Sequence, residues 1–213
     1  MAKFNNPVQN ARLLAYPGGQ IYQKFGMNKA LYLKAINSAG HNGIDIVGKQ
    51  GTPLLASEGE IVEVKNTPEG YGKHIRILTS PDSNGDFYEL VYGHCDTISV
   101  KIEDKVSTGQ VIGGMGNTGF IISGNTPYWG TAPAGKGVHL HFGVAECSTK
   151  PTNWQVQYSS GRKVYRKNYD NGFHGYLNPM YHLDLPEDYA TYVLGILESF
   201  RKKIEEIAFK IKK

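Results

Sequence analysis

The chain has 213 residues, 40% of them hydrophobic, 20% charged and 11% aromatic, a composition that supports one domain with its own core. Its formal net charge of +4, from 23 Lys and Arg against 19 Asp and Glu spread along the chain, argues against a nucleic-acid-binding surface. No apolar run approaches the roughly 20 residues of a bilayer-spanning helix, and two cysteines, Cys95 and Cys147, are too few for a disulfide scaffold.

The opening MAKFNNPVQNARLLAYPGG has neither the apolar core nor the small-residue cleavage site of a secretory leader, so either secretion is not by this route or the leader lies outside this sequence. The 26 glycines and 10 prolines follow no period and separate apolar runs, which predicts turns between short strands. From Asp45 to about Ile112, LLAS, IVEVK, HIRIL and FYELVYGH alternate apolar and polar residues with period two. Ser83-Asn84-Gly85-Asp86 predicts a tight hairpin between the last two, because Asn-Gly accepts positive φ. ISVKIEDKVSTGQVIGG adds two further strands, and antiparallel β is the expected architecture. Residues 120–137 are expected to form one long irregular loop, with VHLHFGVAE a strand after it. Residues 148–175 read as loop with one hairpin. After Pro186, the stripe Tyr189, Val193, Ile196, Phe200, Ile204, Ile207 and Ile211 predicts an amphipathic helix with a lysine-rich end.

Four of the seven histidines stand in informative places. In GHNGIDI, the flanking glycines and β-branched residues argue against a helix. Extended, the segment puts His41 and Asp45 on one side, with Ile44 and Ile46 on the other. In HLHF, His139 and His141 share one face of a strand and Leu140 and Phe142 the other. Two adjacent imidazoles are costly in a core unless both find partners. A zinc ion held with Asp45 and one or two other imidazoles would supply them, and three protein ligands with an open position would make the site catalytic, whereas His-x-His taken alone reads as a surface strand. His94, in LVYGHCD, is the third element; if it faces the site, Cys95 turns into the core.

Taken in order, G-His41-x-x-x-Asp45, GTPLLASEGEIVEV, YGKHIRIL, VYGHCD, VSTGQVIGGMGNTG and GVHLHF resemble the lysostaphin-type (LytM-like) zinc endopeptidases. The resemblance covers roughly residues 17–145, beginning with YPGGQIYQKFG. It implies a mainly β fold, an antiparallel β-sheet or β-sandwich with a loop-walled groove over the metal. It implies that His41, Asp45 and His141 bind one Zn²⁺ per chain, and that His94 and His139 are catalytic histidines that do not bind it. The substrates it implies are the peptide stems or cross-bridges of bacterial peptidoglycan.

On this basis the chain divides into an N-terminal arm (1–16), a zinc endopeptidase domain (17–185) and a C-terminal amphipathic helix (186–213). The helix is expected to pack on the domain, to self-associate or to dock on a larger assembly. A stand-alone catalytic domain without a leader points to a phage lysin or virion-associated enzyme acting at the bacterial cell wall. Two other readings stand beside it, a catalytically silent wall-binding or regulatory module and a zinc peptidase acting on proteins. All five positions are filled, which argues against silence.

The chain departs from the family pattern at Gly143, where an acidic residue usually follows HLHF. Tyr128 and Trp129, in the 120–137 loop, are candidates for lining the substrate groove. His74, His174 and His182 are expected to be ordinary residues, His74 at a surface or edge.

Overall fold

Period-two alternation produces a sheet with two unlike faces, and the site grows from one of them. The structure, a computed structural model, describes residues 2–8, 23–124 and 126–183. Helix α1 (Lys29–Ile36) precedes strands β1 (Ile44–Val47), β2 (Pro53–Leu55), β3 (Gly59–Thr67), β4 (Gly72–Leu78) and β5 (Asp86–Gly93). Then come β6 (Cys95–Ile98), β7 (Lys105–Val106), β8 (Val111–Met115), β9 (Ile121–Ser123) and β10 (Thr126–Tyr128). The last are β11 (His139–Ser148), β12 (Gln155–Gln157), β13 (Lys163–Arg166) and β14 (Tyr176–Leu177), before a 3-10 turn at Pro179–Tyr181.

Nine strands make one sheet in the order β12-β13-β11-β5-β4-β3-β7, with β1 and β14 also paired to β11. Strands β2, β8 and β6 form a three-stranded sheet, and β9 and β10 a hairpin. The pairings are antiparallel, as the alternation predicts.

The register sorts the side chains. Ile44 and Ile46 of β1, Leu140 and Phe142 of β11, Leu90 and Tyr92 of β5, and Ile75 and Ile77 of β4 are buried on one face. The three-stranded sheet lies near this face, where the Tyr92 hydroxyl donates to the Leu55 carbonyl at 3.1 Å. The opposite face carries Asp45, His139, His141, Arg76 and Glu89. An apolar core on one side and chemistry on the other follow from a single period.

Several expectations need correction. Helix α1 was not expected; it buries no side chain and is capped at both ends by residues in the left-handed region, Asn28 and Asn37. Residues 120–137 are not one irregular loop, because β9 and β10 pair within them. Residues 155–166 do form the expected hairpin. His74 is no surface residue but 2% exposed, with Nε2 3.1 Å from the Glu63 carboxylate and Nδ1 2.9 Å from the Gly72 carbonyl. Glu63, the diagonal neighbour on β3 that faces Arg76, supplies a charge partner that alternation could not reveal. His182 is also buried, stacked on Phe4. Cys95 and Cys147 are buried and unpaired, and burial pushes both thiols up to about 12.

Of the expected arm, residues 2–8 are built into the body: Phe4 pairs with Leu183, and the Pro7 carbonyl accepts from Leu55 N–H at 2.8 Å. The expected C-terminal helix, 186–213, lies outside the described residues.

Candidate metal centre

Strand pairing sets Asp45 of β1 directly opposite His141 of β11. His41 enters from the turn before β1, where the chain is too compact for any side chain at Gly43. A Cβ there would stand 2.6 Å from His141 Cε1 and 2.7 Å from its Nε2. The outcome is a buried triad, with His41 1%, Asp45 5% and His141 3% exposed.

Three donor atoms converge. His41 Nε2 lies 2.9 Å from His141 Nδ1 and 3.2 Å from Asp45 Oδ1, and His141 Nδ1 lies 3.3 Å from the same oxygen. Nitrogen and oxygen ligands at about 2.0–2.1 Å around a tetrahedral zinc stand about 3.3 Å apart. Asp45 Oδ1 is a buried oxygen that receives no hydrogen bond, although both rings are beside it. An ionised oxygen in that position calls for a cation. The side chains present therefore fit a tetrahedral metal ion.

Their ionisation agrees. Burial pushes the Asp45 carboxyl up, but the His41, His139 and His141 imidazoles outweigh it and hold the group well below the usual carboxylate range. Burial lowers His141 to about 4 against the opposing pull of Asp45, so this ring is a neutral donor at physiological pH.

Two more imidazoles face the triad. His139 shares the triad's face of β11, with Nε2 3.8 Å from Asp45 Oδ1. His94 follows β5 in the left-handed region at φ 61°, which turns its ring to 4.5 Å from that of His139. Each has Nδ1 at 2.7 Å from a backbone carbonyl, Thr118 for His94 and Gly137 for His139. A carbonyl only accepts, so Nδ1 carries the hydrogen and the neutral ring keeps a lone pair on Nε2. Burial, then the neighbouring His139 and His141, hold His94 well below the usual histidine range.

Sequence reasoning missed the residues that orient these rings. Thr118 accepts from His94 through its carbonyl and donates through its hydroxyl to the Cys95 carbonyl at 2.9 Å, fixing both ends of one turn. Tyr71 stands over His141 at 4.8 Å between ring centroids, and its hydroxyl accepts from Asn42 Nδ2 at 2.8 Å. VSTGQVIGGMGNTG and YGKHIRIL contained these residues, but no spacing rule assigns such contacts.

A groove of about 610 Å³ opens over the cluster. Leu31, Tyr32 and Ile36 of α1 form one wall, and Phe120, Ile121 and Ile122 another. Trp129 packs at a 40° tilt against Phe120 of this wall, 5.4 Å between ring centroids, and is 59% exposed; neither it nor Tyr128 is among the described residues that line the cavity itself. The space at Gly143 is taken by Tyr176, whose Cε1 would stand 3.1 Å from a Cβ there. A buried carboxylate does stand nearby on this face, Glu89, opposite Ala145 on the next strand.

Residues 39–154 match the family model described as peptidase family M23. The chain belongs to that family. Glycyl-glycine endopeptidase ALE-1 of Staphylococcus capitis is 35% identical over 120 residues, covering 56% of this chain and 28% of that protein. Murein hydrolase activator NlpD of Escherichia coli is 33% identical over 102 residues, covering 47% of this chain and 23% of that protein. The matched part of this M23 chain thus spans about a quarter of those relatives' length. The crystallised catalytic domain of lysostaphin from Staphylococcus simulans aligns with a TM-score of 0.45 at 24% identity, over 76% of this chain and 87% of that one.

Proposed function

We propose that this chain is a zinc-dependent endopeptidase that hydrolyses peptide stems or cross-bridges of bacterial peptidoglycan at the cell wall. The observation that carries the reading is the meeting of two groups in one groove: a donor triad and a pair of imidazoles that do not belong to it. Membership of a peptidase family and the likeness to a glycyl-glycine endopeptidase support the reaction and the substrate class.

His41 Nε2, Asp45 Oδ1 and His141 Nδ1 would hold the metal. When bound, zinc supplies the Lewis acidity that polarises a scissile carbonyl and acidifies the attacking water. The chain's own residues do the rest. The carbonyls of Thr118 and Gly137 hold the His94 and His139 rings by Nδ1–H and leave each Nε2 able to accept a proton. One such nitrogen takes the proton of the attacking water and returns it to the departing amine. The other, when protonated, donates to the developing oxyanion. Walls of Leu31, Ile36, Phe120 and Ile122 exclude water from around the extended peptide.

Metal content and clearing of purified sacculi test this together. Wild type should carry about one zinc and clear sacculi, and His41→Ala should lose both. His139→Ala should keep its zinc and lose clearing by at least about a hundredfold. Zinc bound at full occupancy by a wild type that cleaves no wall peptide would move the chain to a silent regulatory role, such as the likeness to a murein hydrolase activator allows. Cleavage of a casein-like protein in preference to wall peptides would change the substrate class.

A further inference from the structure

A second recess lies at the end of the family match and beyond it, away from the triad in sequence. Residues 152–154, 166 and 168–171 enclose about 400 Å³ beside the β12–β13 hairpin. Trp154 forms its aromatic surface, 44% exposed and stacked on Tyr169 with 3.7 Å between ring centroids and 17° between planes. One indole face is thereby backed by the phenol while much of the ring stays open to solvent.

The frame of the recess is rigid. Thr152 Oγ1 donates to the Arg166 carbonyl at 3.0 Å, which ties the 152–154 segment to β13. Asn171 donates to the Tyr176 carbonyl at 2.9 Å and accepts from Phe173 N–H at 2.8 Å. Tyr169 is anchored through His174. The His174 Nε2 stands 2.9 Å from the Ile36 carbonyl, which only accepts, so Nε2 is the donor. Its Nδ1, 3.0 Å from the Tyr169 oxygen, then accepts the phenolic hydrogen. The platform is thus tied to the end of α1, the helix whose other residues wall the groove.

What the frame leaves uncommitted defines the ligand. Asn153, Asn168 and Asp170 are exposed at the recess, and none bonds its side chain to another described residue. The one cation lining it among the described residues, Arg166, is buried and engaged with Glu89 and the His174 carbonyl. A nucleic acid needs a basic track beside its stacking platform, and none of the described lining residues supplies one. A flat electron-rich ring for polarised C–H groups, with amide and carboxylate groups around it for hydroxyl and acetamido groups, suits a neutral pyranose.

We propose that the Trp154–Tyr169 platform, with Asn153, Asn168 and Asp170, binds a β-linked N-acetylhexosamine strand, holding the glycan of the wall while the groove takes its peptide. The choice of wall glycan as the natural ligand rests on the peptidoglycan reading; sugar binding itself does not.

The test is calorimetric titration of the full chain with the β-1,4-linked tetramer of N-acetylglucosamine. Saturable binding is expected in wild type, weakened at least about tenfold in Trp154→Ala and by about tenfold in Asp170→Ala, an exposed site that leaves the packing intact. His41→Ala should bind the tetramer like wild type, which separates this site from the metal centre. Trp154→Ala should also cleave a small soluble cross-bridge peptide normally yet clear intact sacculi more slowly. No saturation of wild type up to about 10 mM tetramer would overturn the proposal. Equal affinity in both variants would do the same, as would capture of a proline-rich peptide in place of the sugar. Failure of the endopeptidase reading would show as no peptide cleavage with tetramer binding unchanged.

Discussion

One missing Cβ decides where His141 can sit. At Gly43 a methyl group would meet the His141 ring at 2.6 Å and the Phe142 carbonyl oxygen at 2.6 Å. Retreat of the ring is limited by Tyr71, which stands over it with 4.8 Å between ring centroids. Gly43→Ala should therefore turn the imidazole off its donor direction, weakening zinc about 10–100-fold and costing about 1–3 kcal/mol of stability. Competition with a chromophoric chelator reads the first effect and denaturant unfolding the second; unchanged zinc affinity would show that the ring has another seat. At this scale the sequence showed much of the chemistry. The spacing of His41 and Asp45, and the two imidazoles of HLHF, identified the side chains that meet. It could not show which nitrogen faces inward. That is decided by the carbonyls of Thr118 and Gly137, and for His94 by a positive φ that no residue type announces.

Strands read well in this sequence because one period governs both faces, whereas short elements read poorly. KALYLKAI contains good helix formers, but eight residues without a side-chain cap gave too little signal against the surrounding turns. The β9–β10 pair has three residues per strand and escaped for the same reason. Also hidden was a charge cluster that joins strands distant in sequence. Glu89 of β5, fully buried, is paired with Arg76 of β4 and Arg166 of β13, and accepts from Tyr158 and from Tyr176 of β14. Burial alone would raise its carboxyl, but the Arg166 and Arg76 guanidiniums prevail and hold it at about 2. A carboxyl depressed on folding stabilises the native state fully above about pH 5, and that contribution is lost as the pH falls toward 2. The drop from the ordinary 4.5 to about 2 corresponds to about 3 kcal/mol. Glu89→Gln leaves the buried Arg166 guanidinium without its counter-charge and Arg76 with Glu63 as its remaining carboxylate partner, so stability at about pH 7 should fall by about 3–5 kcal/mol. Below about pH 5 the variant's curve should also be flatter than that of wild type. Urea unfolding across this range is the measurement, and parallel curves for the two proteins would remove Glu89 from the acid response.

For the molecule as a whole, both ends of the described chain close on one body. Phe4 N–H donates to the His182 carbonyl at 2.6 Å, and the Phe4 ring packs against Tyr88 of β5 at 5.2 Å. The triad joins the same body at the β1–β11 ladder, with His41 reaching in from the preceding turn. A cation there would bridge segments about a hundred residues apart while giving the Asp45 oxygen the partner that no hydrogen bond supplies. Binding to the native state alone then raises stability by mass action, about 4 kcal/mol when free zinc is a thousand times its dissociation constant. For a chain of this size that is a rise of about 10 °C in Tm. Calorimetry should show the transition falling by about this amount after chelation and returning when zinc is restored. His41→Ala should show no such return, and its transition should lie near that of the chelated wild type. A wild-type Tm indifferent to chelation and to added zinc would mean that the three donors are satisfied without a metal, and the proposed centre would fall with it.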